Sequence, residues 1–134
     1  MKTASPTGSY LVSLPDGTTE EYDGRVSSFW CNKQLLLQLS SHKRVQDFQV
    51  SSSQRLADRL KGKQQAKRVK VAIPGCPDVA GAVAKEDDGL FWLYCYASWP
   101  DLMIFITISG PSESIVVNGW ASKAVKSIEK KFAT

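Results

Sequence analysis

The chain has 134 residues, 43% of them hydrophobic, with a mean hydropathy of −0.21 and a formal net charge of +4. That length suits one domain with a single core and leaves too little buried area for a second. No apolar run approaches bilayer-crossing length and the opening Met-Lys-Thr-Ala-Ser-Pro-Thr-Gly lacks the apolar centre of a secretory signal, so a cytoplasmic protein is expected.

Residues 1–9 show no periodicity and are expected to form a flexible lead-in, with a single domain over 10–134. Residues 10–14 (Tyr-Leu-Val-Ser-Leu) and 18–22 (Thr-Thr-Glu-Glu-Tyr) flank a Pro15-Asp16-Gly17 turn. They read as a first hairpin, or as a strand followed by an irregular acidic segment. Residues 25–30 read as extended, Asn32-Lys33 as a turn, and 34–40 (Gln-Leu-Leu-Leu-Gln-Leu-Ser) as a strand, although Leu and Gln also suit a helix.

Ser51-Ser52-Ser53 offers an N-cap and Gly62 a C-terminal stop, which predicts a short helix between them. Leu56 and Leu60 would face inward, leaving Arg55, Arg59 and Lys61 toward solvent. Residues 63–67 read as a polar connection, and 68–73 alternate basic and apolar side chains, as a strand does, until Pro74-Gly75.

Residues 79–110 hold three strand-length apolar runs separated by Glu86-Asp87-Asp88-Gly89 and by Pro100-Asp101, the pattern of a three-strand antiparallel meander. Its middle run places Trp92, Tyr94 and Tyr96 on one face and Phe91, Leu93, Cys95, Ala97 and Trp99 on the other. Past Pro111, Ser-Glu-Ser reads as a turn and Ile-Val-Val as a short apolar stretch. Asn118 then caps a closing helix over 119–132, with Trp120, Ala124, Ile128 and Phe132 as its apolar stripe. The fold class expected is α+β, an antiparallel sheet with a C-terminal three-strand meander packed by two amphipathic helices.

Little in the chain announces chemistry. Its one histidine, His42, sits beside Lys43 and Arg44 and reads as a surface turn residue. Cys76, in Pro-Gly-Cys-Pro-Asp, has no base indicated beside it and reads as a loop cysteine. Cys31, Cys76 and Cys95 are scattered and contain no Cys-x-x-Cys pair, which argues for reduced thiols rather than a disulfide framework or metal cluster. The Glu86-Asp87-Asp88 cluster reads as a solvated turn, and no phosphate-binding glycine loop is present. No catalytic, metal-binding or cofactor-binding residue is assigned, and no cofactor is expected.

Charge and aromatic content point instead to binding. Residues 43–70 carry nine Lys and Arg against Asp47 and Asp58, a local charge of +7. Residues 10–23 hold Asp16, Glu20, Glu21 and Asp23 without a cation, a local charge of −4. Such a dipolar surface steers charged partners. The basic stretch admits a nucleic-acid reading, although the aromatic-glycine signature of an RNA-recognition strand is absent and alternating cations also suit the wet face of an ordinary strand. The aromatic row on the middle strand is either covered by another element or free for a partner. Candidate partner contacts are Trp92, Tyr94 and Tyr96 in the sheet, Arg55 and Arg59 on the helix, and Lys67 with Arg68 in the basic stretch. Glu20, Glu21 and Asp23 are the candidates on the acidic side.

In element order, with strand QLLLQLS, helix SQRLADRLK, strand RVKVAI, a long meander and a closing helix ending AVKSIEKKF, the chain resembles the PsbP-like fold. That fold is shared by extrinsic photosystem proteins, DcrB-like bacterial proteins and the adaptor-chaperones of type VI secretion. The resemblance implies a binder without enzymatic activity. The function expected is a bacterial immunity protein that neutralises a toxin or effector by direct binding. An effector-loading adaptor-chaperone is the first alternative, and a nucleic-acid binder using residues 43–70 the second.

Overall fold

A strand with bulky groups on both faces needs cover on both, and residues 91–98 receive a different cover on each. The computed structural model describes residues 1–31, 35–44, 50–63 and 65–131. Seven strands form the principal sheet: β3 (Thr19–Tyr22), β4 (Ser27–Trp30), β5 (Leu36–Lys43), β6 (Lys67–Val69), β7 (Asp78–Lys85), β8 (Phe91–Ser98) and β9 (Leu102–Gly110). Their spatial order is β3-β4-β5-β9-β8-β7-β6, antiparallel throughout. A smaller sheet joins β1 (Lys2–Ala4), β2 (Tyr10–Leu14) and β10 (Glu129–Lys130) in the order β1-β2-β10. The helices are α1 (Ser52–Arg59), α2 (Glu113–Asn118) and α3 (Trp120–Lys126), which makes the protein α+β with mostly antiparallel sheets.

One face of the principal sheet carries the main core. Leu37, Leu39, Leu93, Cys95, Ile106 and Ile108 meet Val12 and Leu14 of the small sheet and Val116, Ala121, Val125 and Ile128 from the C-terminal region. Each Leu or Ile buried there contributes about 1.5–3 kcal/mol relative to exposure. Among the described residues, α1 is the one helix on the opposite face, and it covers that face in part. α1 lies over β7 and β8, where Ala82 and Ala84 leave room for Leu56 to descend to 0% exposure beside Tyr94 and Tyr96.

α1 is held at its start by hydrogen bonds as well as by packing. Ser51 caps it, its side chain accepting from the Gln54 backbone N–H. The buried Ser52 hydroxyl contacts Ser98 Oγ at 2.7 Å and Asp78 O at 3.1 Å, and the Ser52 N–H donates to Asp78 Oδ2 at 2.8 Å. Just beyond its end Gly62 has φ +82°, a left-handed conformation that suits glycine.

Several expectations change. The lead-in over residues 1–9 is not a free tail: Lys2–Ala4 pairs with β2, Ala4 joins the core, and the Met1 ammonium lies 3.0 Å from Asp16. The Pro15-Asp16-Gly17 turn forms, but its arms are not a hairpin, because β2 enters the small sheet and β3 pairs with β4. Burial explains the divergence: Tyr10, Val12 and Leu14 have an apolar face to bury, whereas Thr-Glu-Glu-Tyr is exposed throughout and suits a sheet edge.

The strand expected over 68–73 is shorter, covering Lys67–Val69, although Val71 and Ile73 still pack on the core. His42 lies in β5 rather than in a turn, at an exposed strand end. Ser-Glu-Ser is a helix start: Ser112 Oγ accepts from Ile115 N–H, and α2 follows. The closing helix divides at Gly119, where a Cβ would collide with Ile115 O and press on Leu35, and α3 ends at Lys126. Ser127 then accepts from Ser13 N–H at 2.8 Å, steering the chain into β10 against the free edge of β2. The Asn32-Lys33 turn and Phe132 lie outside the described residues.

Candidate functional site

Where α1 stops covering its face of the sheet, a groove opens. Register builds its floor. Gln38 of β5 stands opposite Thr107 of β9, and Thr107 opposite Tyr94 of β8. One pleat along, Ser40, Phe105 and Tyr96 form the next row. The cavity is about 330 Å³, at the small end for ligand pockets, with Trp92 and Tyr94 toward one side and Arg59 of α1 above Phe105.

Arg59 is held by two aromatic residues, Tyr96 and Phe105. Its guanidinium carbon lies 4.1 Å from the Phe105 ring centroid and 5.9 Å from that of Tyr96, and its Nε donates to Tyr96 Oη at 2.8 Å. Tyr96 and Phe105 stack on each other at 4.7 Å, so the cation rests on a paired aromatic platform. The expectation that Arg59 simply faces water is corrected in this respect: the side chain is exposed, yet lies along the aromatic row. Arg55, one turn earlier on α1, is half-buried, and its Nε is buried without a hydrogen-bond partner among the described residues.

Polar groups stiffen the rest of the wall. Tyr94 Oη donates to Glu86 Oε1 at 2.7 Å, and Lys63 Nζ reaches Glu86 Oε2 at 2.9 Å. Burial pushes the Glu86 carboxyl up, but the bonds from Lys63 and Tyr94 outweigh it and hold the group below its ordinary range. Burial, then the bond to Glu86, raises the Tyr94 phenol. Trp92 is half-buried, stacks on Tyr94 at 6.2 Å and donates its indole N–H to Asp88 at 3.0 Å. On the floor, Thr107 donates to Gln38 at 3.4 Å and Gln38 to Ser28 at 3.2 Å.

The sequence-derived candidates therefore separate. Arg59, Trp92 and Tyr94 line one groove, with Tyr96 beneath Arg59. Lys67 and Arg68 lie on β6, at one edge of the principal sheet, and Lys67 bonds Glu113 at 2.8 Å. Glu20 and Glu21 lie on β3 at the opposite edge. Asp23 accepts from the Val26 and Arg25 N–H groups, which lower its pKa. The sheet thus has one acidic and one basic rim with the groove between them. Gln38, Phe105 and Thr107 were not singled out from the sequence. Their shared signal is alternation in β5 and β9, which gives each residue's face but not its neighbour across the sheet.

The nearest approach to a nucleophile–base pair is Ser40 Oγ and His42 Nε2, 3.3 Å apart. His42 is exposed near the end of β5 and Ser40 is half-buried, and no carboxylate orients the imidazole among the described residues. The Cys76 thiol is pushed up, first by burial, and donates weakly to Asp78 O and Ser98 O. Among the described residues no group of His, Cys, Asp and Glu is arranged to hold a metal ion, and no helix is long and apolar enough to cross a membrane.

No protein-family model matches the sequence, and no curated protein matches it. A crystal structure of a protein from Bacteroides thetaiotaomicron is similar over 96% of this chain, with a TM-score of 0.61 and 16% identity. The match covers 47% of that protein, so the present chain spans about half its length. At this identity the likeness shows a common fold and nothing of activity.

Proposed function

We propose that this chain is a non-enzymatic protein-binding module, in its specific form a bacterial immunity protein that neutralises a toxin or effector by occupying its surface. One observation carries the reading: the aromatic face of β8 and β9 is only partly roofed by α1, leaving a groove in which Arg59, Trp92 and Tyr94 converge. Aromatic and Arg side chains already held in place are the residue types that anchor protein interfaces. The opposed acidic and basic rims add a means of orienting the partner during encounter. The finer fold assignment, PsbP-like with a C-terminal three-strand meander, belongs to the same proposal and is supported by the consecutive antiparallel pairing of β7, β8 and β9.

The nucleic-acid alternative has less free charge at its disposal, because Lys61, Lys63 and Lys67 are each paired with a carboxylate. An adaptor-chaperone would use the same groove, but for an apolar helical segment. Affinity capture from host-cell lysate, with wild type, Trp92→Ala and the Lys67→Glu/Arg68→Glu double variant as baits, tests the proposal. The expected result is one stoichiometric protein that survives high salt, is lost with Trp92→Ala and is kept by the rim variant. Nucleic acid that elutes with salt and disappears with the rim variant would overturn it.

A further inference from the structure

Arg59 is held before any ligand arrives. Its Nε donates to Tyr96 and its central carbon lies over the Phe105 ring, while its two terminal nitrogens have no partner among the described residues. A guanidinium fixed in this way has already lost most of its rotamer freedom, so binding through the remaining edge costs little further entropy. Among the described residues lining the groove, Arg59 is the sole charged group; Gln38 and Thr107 are neutral, and Trp92, Tyr94 and Phe105 present ring surface. The groove therefore joins an unanswered positive charge to aromatic ring surface over a neutral polar floor.

Resting on the protein-binding reading above, we infer that this groove is the receptor for an acidic side chain, Asp or Glu, carried between apolar residues on a segment of the protein partner. The carboxylate would accept from the free edge of Arg59 in the two-pronged geometry that guanidinium and carboxylate share. The flanking apolar side chains would lie against Trp92 and Phe105, and a cavity of about 330 Å³ accommodates a side chain or two rather than a folded surface.

The test uses the whole ¹⁵N-labelled protein and three synthetic peptides. The first is acetyl-Ala-Leu-Glu-Leu-Ala-amide, the second replaces Glu with Gln, and the third is the Gln peptide with a free C-terminal carboxylate. NMR titration should show the Glu peptide shifting the Arg59 Nε and Trp92 indole signals and binding about tenfold more tightly than the Gln peptide. Arg59→Gln should equalise the two, Arg59→Lys should retain only part of the preference, and Arg68→Gln should leave it intact. Equal binding of the Glu and Gln peptides to wild type, a preference that survives Arg59→Gln, or shifts confined to β6 would overturn the inference. Strongest binding by the free-carboxylate peptide would overturn it in favour of a chain terminus. Failure here stays distinct from failure of the protein-binding reading: a captured partner lost with Trp92→Ala but indifferent to Arg59→Gln would preserve that reading while removing the acidic receptor.

Discussion

Leu56→Ala measures how firmly α1 is seated, and the groove depends on that seating because Arg59 is carried on the same helix. Leu56 is fully buried, over Ala82 and Ala84, whose methyl groups cannot rise to refill the space. Removing three carbons forfeits about 2.4 kcal/mol of transfer free energy at roughly 0.8 kcal/mol per carbon. A cavity that closes only partly adds about 1–2 kcal/mol, for a total of about 3–4 kcal/mol. A urea titration followed by far-ultraviolet circular dichroism reads this out. With a slope of about 1.5–2 kcal/mol/M, the midpoint should fall by about 2 M. Leu60→Ala, at a half-buried position on the last turn, should cost only about 1 kcal/mol. A loss for Leu56→Ala below about 1 kcal/mol would refute the packing of α1 on this face, and with it the placement of Arg59 above Phe105.

Three further outcomes test separate parts of the structure. Glu86 has its folded pKa lowered by Lys63 and Tyr94, so its stabilising contribution is full above the ordinary Glu value near about 4.3 and is lost as pH falls through the lower folded value. Glu86→Gln should therefore flatten the acid limb of a stability-versus-pH curve relative to wild type, and identical slopes would contradict the Lys63–Glu86–Tyr94 arrangement. Burial, and then the nearby Cys76, pushes the Cys95 thiol up to about 12; iodoacetamide at neutral pH, followed by mass spectrometry, should leave Cys95 unlabelled until the protein unfolds, and prompt labelling in the native state would show that β8 is not covered. Gly119→Ala should cost about 1–3 kcal/mol because its Cβ meets Ile115 O and Leu35, and an unchanged thermal midpoint would mean that the α2–α3 break has no steric cause.

Local patterns carried much of the architecture. Ser51 and Gly62 bracket α1 in sequence and in structure because a cap and a left-handed stop act within one helical turn. The alternation over residues 91–98 likewise gives the two faces of β8, with Leu93, Cys95 and Ala97 in the main core and Trp92, Tyr94 and Tyr96 on the side of α1, since pleating is local. What could not be read depended on distant pairing. The Pro15-Asp16-Gly17 turn looks the same whether its arms pair with each other or enter separate sheets, and the outcome was decided by β4 and β10 offering better partners. Ser112 resembled a turn serine because α2 is only six residues long and breaks at Gly119. The same limit governed the groove. Trp92, Tyr94 and Arg59 were conspicuous as residue types, whereas Gln38 and Thr107 became neighbours only through the register of β5 on β9, strands more than fifty residues apart in the chain.

The central claim, that the groove beside α1 is where a protein partner sits, is tested most directly by placing a photo-crosslinking amino acid at single positions in living cells. Gln38 reports the groove, Arg68 the basic rim and Glu21 the acidic rim. One protein should crosslink strongly from Gln38 and weakly or not at all from the two rims. Crosslinking from Arg68 or Glu21 alone, with Gln38 silent, would move the interface off the groove and contradict it.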